Sequence, residues 1–164
     1  MSDSGDVVIA RAVDAPDVAA VKRLFLDYAG WLGVDLCFQN FAEEMATFPA
    51  FYEAIWLARA GGAPAGAVGL KDLGHGACEM KRLYVTEAHR GLSIGRRPCD
   101  EMLAYAAAAG YQIMRLDTLD RLASAIALYR DLGFVETESY YDNPEKGVIY
   151  MALEIDPPRM RAAD

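Results

Sequence analysis

Apolar positions along the chain switch repeatedly between short β-branched runs and longer stripes at helical spacing. Residues 7–13 alternate loosely and are rich in valine, which predicts a first strand. Asp14, Pro16 and Asp17 then form a helix start, because an aspartate accepts from orphan amides and a proline fits the first turn. Val18, Val21, Leu24, Phe25 and Tyr28 make one apolar stripe, which Gly30 and Gly33 stop or interrupt. A short helix is predicted over 41–47, with Pro49 as its breaker. Phe38, Phe41, Phe48, Phe51 and Tyr52 around it read first as core, with a place beside a ligand as the alternative.

Strands over 55–59 and 65–71 are joined by the turn-rich segment GGAP, and DLGHG follows as a second turn carrying a loop histidine, His75. The next strand covers 78–85. Strict alternation places Glu79, Lys81, Leu83 and Val85 on one face of it and Met80, Arg82 and Tyr84 on the other. A helix follows whose buried side is Cys99, Met102, Leu103 and Ala106 and which Gly110 ends. Then come a strand over 111–119 and a helix over 122–132 with Asp120 as N-cap and Gly133 as closure. Strands over 135–141 and 148–155 flank the turn DNPEKG. The order βααβββαβαββ predicts one α/β domain over 1–164, with 1–6 and 157–164 as flexible tails.

Composition narrows the function. A chain of 164 residues with 54% hydrophobic content has the size and core of one domain. Three cysteines at wide spacing, with no CxxC, suggest neither a disulfide framework nor a zinc site, and no metal is expected. No basic leader precedes an apolar run, and no stretch approaches about 18 apolar residues, so a cytoplasmic protein without a membrane partner is expected. A net charge of −8 argues against a nucleic-acid partner.

Against that acidic background one segment is basic. Lys81, Arg82, His89, Arg90, Arg96 and Arg97 cluster around Gly91 and Gly95, between a strand and a helix. Backbone amides at such a turn, with the helix dipole behind them, suit an anion, and a phosphorylated ligand is the simplest reason for the charge. Glycines placed for turn geometry alone are the alternative. The segment is neither GxxxxGK[ST] nor GxGxxG.

At these residues the chain resembles the GNAT superfamily of N-acetyltransferases, whose pyrophosphate loop reads Arg/Gln-x-x-Gly-x-Gly/Ala. Here that loop becomes Arg90-Gly91-Leu92-Ser93-Ile94-Gly95, with Ser93 in place of the first family glycine. The resemblance extends over EMKRLYV, MRLDTL, AIALYRDLGF and the closing YYDNPEKGVIYMALEI. It implies the GNAT fold: a mixed sheet of six to seven strands flanked by four helices, splayed between the fourth and fifth strands with acyl-coenzyme A in the gap. It implies acetyl-CoA as co-substrate and a small-molecule amine as acceptor, and it allows a homodimer.

The same resemblance implies roles for individual residues. The backbone of Leu83, Tyr84 and Val85 would pair with the pantetheine arm. Gly91, Leu92, Ser93, Ile94, Gly95 and Arg96 would cradle the pyrophosphate, with Arg90, Arg96 or Arg97 meeting phosphate. Tyr129 matches the tyrosine that protonates the thiolate, while Leu122 stands where the family usually has Asn. Glu79 matches the strand glutamate that acts as base in the histone-acetylating branch. A strand glutamate paired with Lys81 or Arg82 is the alternative for it, and Asp117 is the reserve base. Cys78 and Cys99 read as core thiols. A catalytically silent acyl-CoA-binding module and a site for another phosphorylated ligand remain as alternative functions.

Overall fold

The computed structural model describes residues 6–33, 40–90, 94–141 and 146–155. The elements are β1 (Val7–Arg11), α1 (Ala15–Leu32), α2 (Phe41–Ala46), β2 (Ala54–Ala60), β3 (Ala63–Gly74), β4 (Ala77–Val85), α3 (Arg96–Ala108), β5 (Ile113–Leu119), α4 (Ala123–Leu132), β6 (Val135–Thr137) and β7 (Val148–Glu154). A 3₁₀ turn, Glu87–His89, follows β4. The predicted βααβββαβαββ order holds. The seven strands take the sheet order β1-β2-β3-β4-β5-β7-β6. β4 and β5 are its parallel pair, registered over Ala77–Ile113, Cys78–Met114 and Glu79–Arg115, the first residues of both strands.

The chain falls into two compact units, Met1–Asp72 with Met80–Glu101 and Leu73–Glu79 with Met102–Asp164. In the first, the α1 stripe buries Val21, Leu24 and Phe25 against Ile55, Leu57 and Ala67 of the antiparallel β2–β3 pair. Phe41, Phe48 and Phe51 pack against this core and Tyr52 belongs to it, so these four aromatics are packing, while Phe38 lies outside the described residues. Complete burial of one such side chain contributes about 1.5–3 kcal/mol. A second apolar group joins Val7, Ala58, Ala65 and Ile94. In the other unit β5 shows a strict alternation, with Met114, Leu116 and Thr118 buried and the residues between them half-buried. Phe134 and Met151 are buried there as well.

Local signals explain most boundaries. Asp14 caps α1, its Oδ1 accepting from the Asp17 amide at 3.2 Å. The helix passes through Gly30 to buried Leu32 and ends at Gly33, whose φ of 74° is cheap only for glycine. Gly133 closes α4 in the same way at φ 108°.

Four expectations need correction. β3 continues through Asp72 and Leu73 to Gly74, and the turn before β4 narrows to His75 and Gly76, both left-handed. Asp120 does not cap α4; its amide donates to the Gly147 carbonyl at 2.8 Å, and Leu122 takes the cap position without a side-chain bond. β6 stops at Thr137, because Tyr140 and Tyr141 carry their hydroxyls to side chains of β4 and β5. Within β4 the alternation breaks at Arg82, whose φ of 63° lies outside the extended region.

Candidate active site

The end of β4 and the start of α3 bring together, in the first unit, the described part of the expected donor site. Leu83, Tyr84 and Val85 are half-buried. The Thr86 amide donates to the Ala65 carbonyl at 2.9 Å, and Thr86 Oγ1 lies 2.6 Å from His89 Nδ1, which fixes the turn that follows. Ile94 is 1% exposed and packs on Val7, Ala58 and Ala65, so its side chain anchors the loop and only its backbone can serve an anion. A Cβ at Gly66 would stand 3.1 Å from both Ile94 Cγ2 and the Tyr84 carbonyl oxygen, so this glycine lets β3 approach the strand and loop closely. Gly91, Leu92 and Ser93 lie outside the described residues.

Three arginines surround this turn in different states. Arg90 donates from Nε to the Val85 carbonyl at 3.0 Å, and its guanidinium carbon lies 4.8 Å from the Trp31 ring centroid and 5.8 Å from that of Tyr84. Arg96 opens α3, and its Nε is 3.7 Å from Asp100 in an exposed pair of little energetic weight. Arg97 donates to the Val7 carbonyl at 3.1 Å, which ties it to β1. Pro98 falls in the first turn of α3, where a missing amide costs no helical bond. The exposed cations and a 13-residue helix starting at Arg96 suit a pyrophosphate.

In the second unit, Glu79 is 4% exposed and accepts from the Tyr140 hydroxyl at 2.6 Å. The reserve base Asp117 accepts from Tyr141 at the same distance. Asp117 is the cross-strand partner of Tyr150, whose hydroxyl donates to the Tyr141 carbonyl at 3.2 Å. The three tyrosine rings pack edge to face with centroids 5.3–5.7 Å apart, and the Arg115 guanidinium lies over Tyr140 at 5.6 Å. Burial, reinforced by the charges of Glu79 and Asp117, pushes Tyr140 far above its ordinary range, so its hydroxyl is a permanent donor. The two carboxylates are thus held by a tyrosine group that periodicity alone does not announce. The only sequence signal was the pair of adjacent tyrosines in a segment read as strand.

Tyr129 lies on α4, 7% exposed, with its ring edge-on to Phe134 at 6.1 Å. Its carbonyl accepts from the Phe134 amide at 3.0 Å, which sets the helix end. Cys78 and Cys99 are fully buried thiols, as expected, and Cys37 lies outside the described residues.

A third group went unrecognised in the sequence. Glu44 of α2 is 1% exposed and forms a two-pronged pair with Arg82 of β4, Nη2 to Oε1 at 2.9 Å and Nε to Oε2 at 3.4 Å. The Tyr52 hydroxyl donates to the same Glu44 oxygen as Arg82 Nε. Burial opposes the charge on Arg82, but Glu44, Tyr52 and Tyr28 together outweigh it and hold the guanidinium more firmly protonated than usual. Arg82 therefore belongs to a structural ion pair and is no part of the basic turn.

Among the described residues no three His, Cys, Asp or Glu side chains are grouped to hold a metal ion, and no helix is long and apolar enough to cross a membrane. Comparison with known proteins matches residues 19–134 to the acetyltransferase (GNAT) family. An uncharacterised N-acetyltransferase of Schizosaccharomyces pombe is 41% identical over 88% of this chain and 93% of its own length. Another, from Dictyostelium discoideum, is 27% identical over 90% of this chain and 100% of its own. Among solved structures, a GNAT acetyltransferase of Staphylococcus aureus superposes with a TM-score of 0.74 at 18% identity, over 92% of this chain and 99% of that one. A Salmonella typhimurium structure described with its cofactor acetyl-CoA superposes at 0.70 with 20% identity, over 96% and 99%. With the mixed sheet, its parallel β4–β5 pair and a family match that covers most of the chain, the protein belongs to the GNAT family of acetyltransferases and is an acyl-transferring enzyme.

Proposed function

We propose that this enzyme transfers the acetyl group of acetyl-CoA to a primary amine of a small-molecule or amino-acid-like acceptor, by direct attack of the amine on the thioester. The observation that carries the reading is the basic turn between β4 and α3 in a chain of net charge −8. Acetyl-CoA supplies the activated acyl thioester. The backbone of Leu83, Tyr84 and Val85 holds the pantetheine arm as an added strand would. The amides of Gly91, Leu92, Ser93, Ile94, Gly95 and Arg96 receive the pyrophosphate, because the first amides of a helix have no partner within it. Arg90 and Arg96 add the positive charge.

Glu79 is the base that takes the proton of the amine nitrogen, directly or through a water, as the nitrogen–carbon bond forms. Tyr129 is the acid that gives its proton to sulfur as the carbon–sulfur bond breaks. Asp117 is the alternative base, already oriented by Tyr141. On this reading residues 1–164 are one catalytic domain, and the family match covers residues 19–134 of it. Three widely spaced cysteines with no CxxC fit a reducing, cytoplasmic setting.

A thiol-release assay with acetyl-CoA over a panel of primary amines tests the proposal. Release that depends on the amine, together with thermal stabilisation by acetyl-CoA, is the expected result. A ligand at 100 times its Kd stabilises the fold by about 2.7 kcal/mol. Stabilisation without release for every amine makes the chain an acyl-CoA-binding module, the alternative that Leu122 at the α4 cap favours. Equal stabilisation by ATP and NAD overturns the donor assignment.

A further inference from the structure

The strand assigned to the donor leaves the extended region at Arg82, a residue with no intrinsic preference for doing so. Arg82 adopts φ 63°, a left-handed conformation that costs a residue bearing Cβ about 1–2 kcal/mol and that glycine adopts freely. Such a residue persists only where its surroundings over-determine it. Here they do so through the side chain. The Arg82 guanidinium, 4% exposed, is gripped by the Glu44 carboxylate, which is 0% exposed. Phe41 lies 5.3 Å beneath the guanidinium.

Glu44 is itself held by the Tyr52 hydroxyl. The Tyr52 ring is seated so closely on β3 that a Cβ at Gly69 would stand 2.6 Å from it. The grip therefore runs from Gly69 through Tyr52 and Glu44 to Arg82, all within the first unit. An ion pair wholly removed from water contributes little net stability, since the desolvation of both charges offsets their attraction. What the pair does supply is a defined geometry at position 82. The next three residues are Leu83, Tyr84 and Val85, and a left-handed residue inside a strand turns the peptide groups that follow it off the regular pleat.

We propose that Glu44 and Tyr52 are positioning residues that act through Arg82, holding β4 in its kinked form so that the backbone of Leu83, Tyr84 and Val85 is presented to the acyl donor. The proposal rests on the reading of β4 as the donor strand.

Two double variants separate the kink from the charges. Glu44→Gln with Arg82→Gly removes both charges but leaves a residue that takes positive φ without cost. Glu44→Gln with Arg82→Leu removes the same charges and leaves a residue that resists it. Acetyl-CoA affinity by calorimetry is expected within about threefold of wild type for the glycine pair and weakened about tenfold or more for the leucine pair, a loss of about 1.4 kcal/mol against wild type for the latter. Tyr52→Phe removes one oxygen and is the milder probe should the leucine pair fail to fold. It is expected to raise KM for acetyl-CoA about threefold to tenfold at nearly unchanged kcat. Equal affinity in both double variants, or unchanged KM in Tyr52→Phe, overturns the positioning role.

The amide resonances of residues 83–85 give a readout without ligand. They stay near wild type in the glycine pair and move in the leucine pair, and the reverse overturns the proposal even if wild type binds no acetyl-CoA. That last result by itself overturns the donor reading.

Discussion

Tyr140→Phe deletes one oxygen and isolates the contact that holds Glu79. The rings of Tyr141 and Tyr150, 5.3 and 5.4 Å away, and the Arg115 guanidinium above keep their partner surface. What is lost is a 2.6 Å hydrogen bond to a carboxylate that is 4% exposed. Bonds to charged groups contribute about 1.5–3 kcal/mol, and the buried acceptor has little water to replace the hydroxyl. For a domain of this size each kcal/mol moves Tm by about 2–4 °C, so the variant should melt about 3–12 °C lower. Tyr141→Phe serves as the control, since its acceptor Asp117 is only half-buried and water recovers part of the loss. A double-mutant cycle with Glu79→Gln should give a coupling of about 0.5–3 kcal/mol, because glutamine still accepts from Tyr140 but carries no charge. Calorimetric melts of the four proteins supply the numbers. A Tyr140→Phe melt indistinguishable from wild type, or additive effects in the cycle, refutes the reasoning that the tyrosine holds the carboxylate.

Tyr129→Phe should lower kcat about 10²- to 10⁴-fold with acetyl-CoA affinity unchanged, as expected of a proton donor used only when the carbon–sulfur bond breaks. Turnover within about twofold of wild type would reduce Tyr129 to a packing aromatic. Gly69→Ala places a methyl against the Tyr52 ring, 2.6 and 2.7 Å from two of its carbons, and against Phe25 at 3.4 Å. Overpacking of this kind costs about 1–3 kcal/mol, and urea unfolding at unchanged slope measures it. Burial, with a smaller contribution from Asp100, raises the Cys99 thiol from 9.0 to about 12. The folded state then holds this proton more tightly than the unfolded chain, so the stability it contributes is complete below pH 9 and is lost as pH rises towards 12. Urea midpoints of wild type should fall more steeply than those of Cys99→Ala between these limits, and parallel curves would contradict the shift.

Sequence by itself determined the order of elements, the apolar stripes and the basic turn. Each of these is local: an aspartate three residues from the amide it caps, a stripe that repeats every turn, a glycine where the backbone turns left-handed. The residues proposed for the donor side could be named from sequence for the same reason, being contiguous in one strand–turn–helix segment. What the tertiary structure decided is non-local. Glu44 and Arg82 are 38 residues apart, and Glu79 and Tyr140 are 61. Period-two alternation put Arg82 on a regular strand face, whereas a buried carboxylate from α2 holds it at positive φ. Asp120 looked like a helix cap, but α4 begins at Ala123 with Leu122 at the cap position, and the Asp120 amide is held by the Gly147 carbonyl next to β7. A buried charge or hydroxyl must find a partner or lose the solvation it had in water, and which partner it finds depends on elements that meet only when the chain has folded.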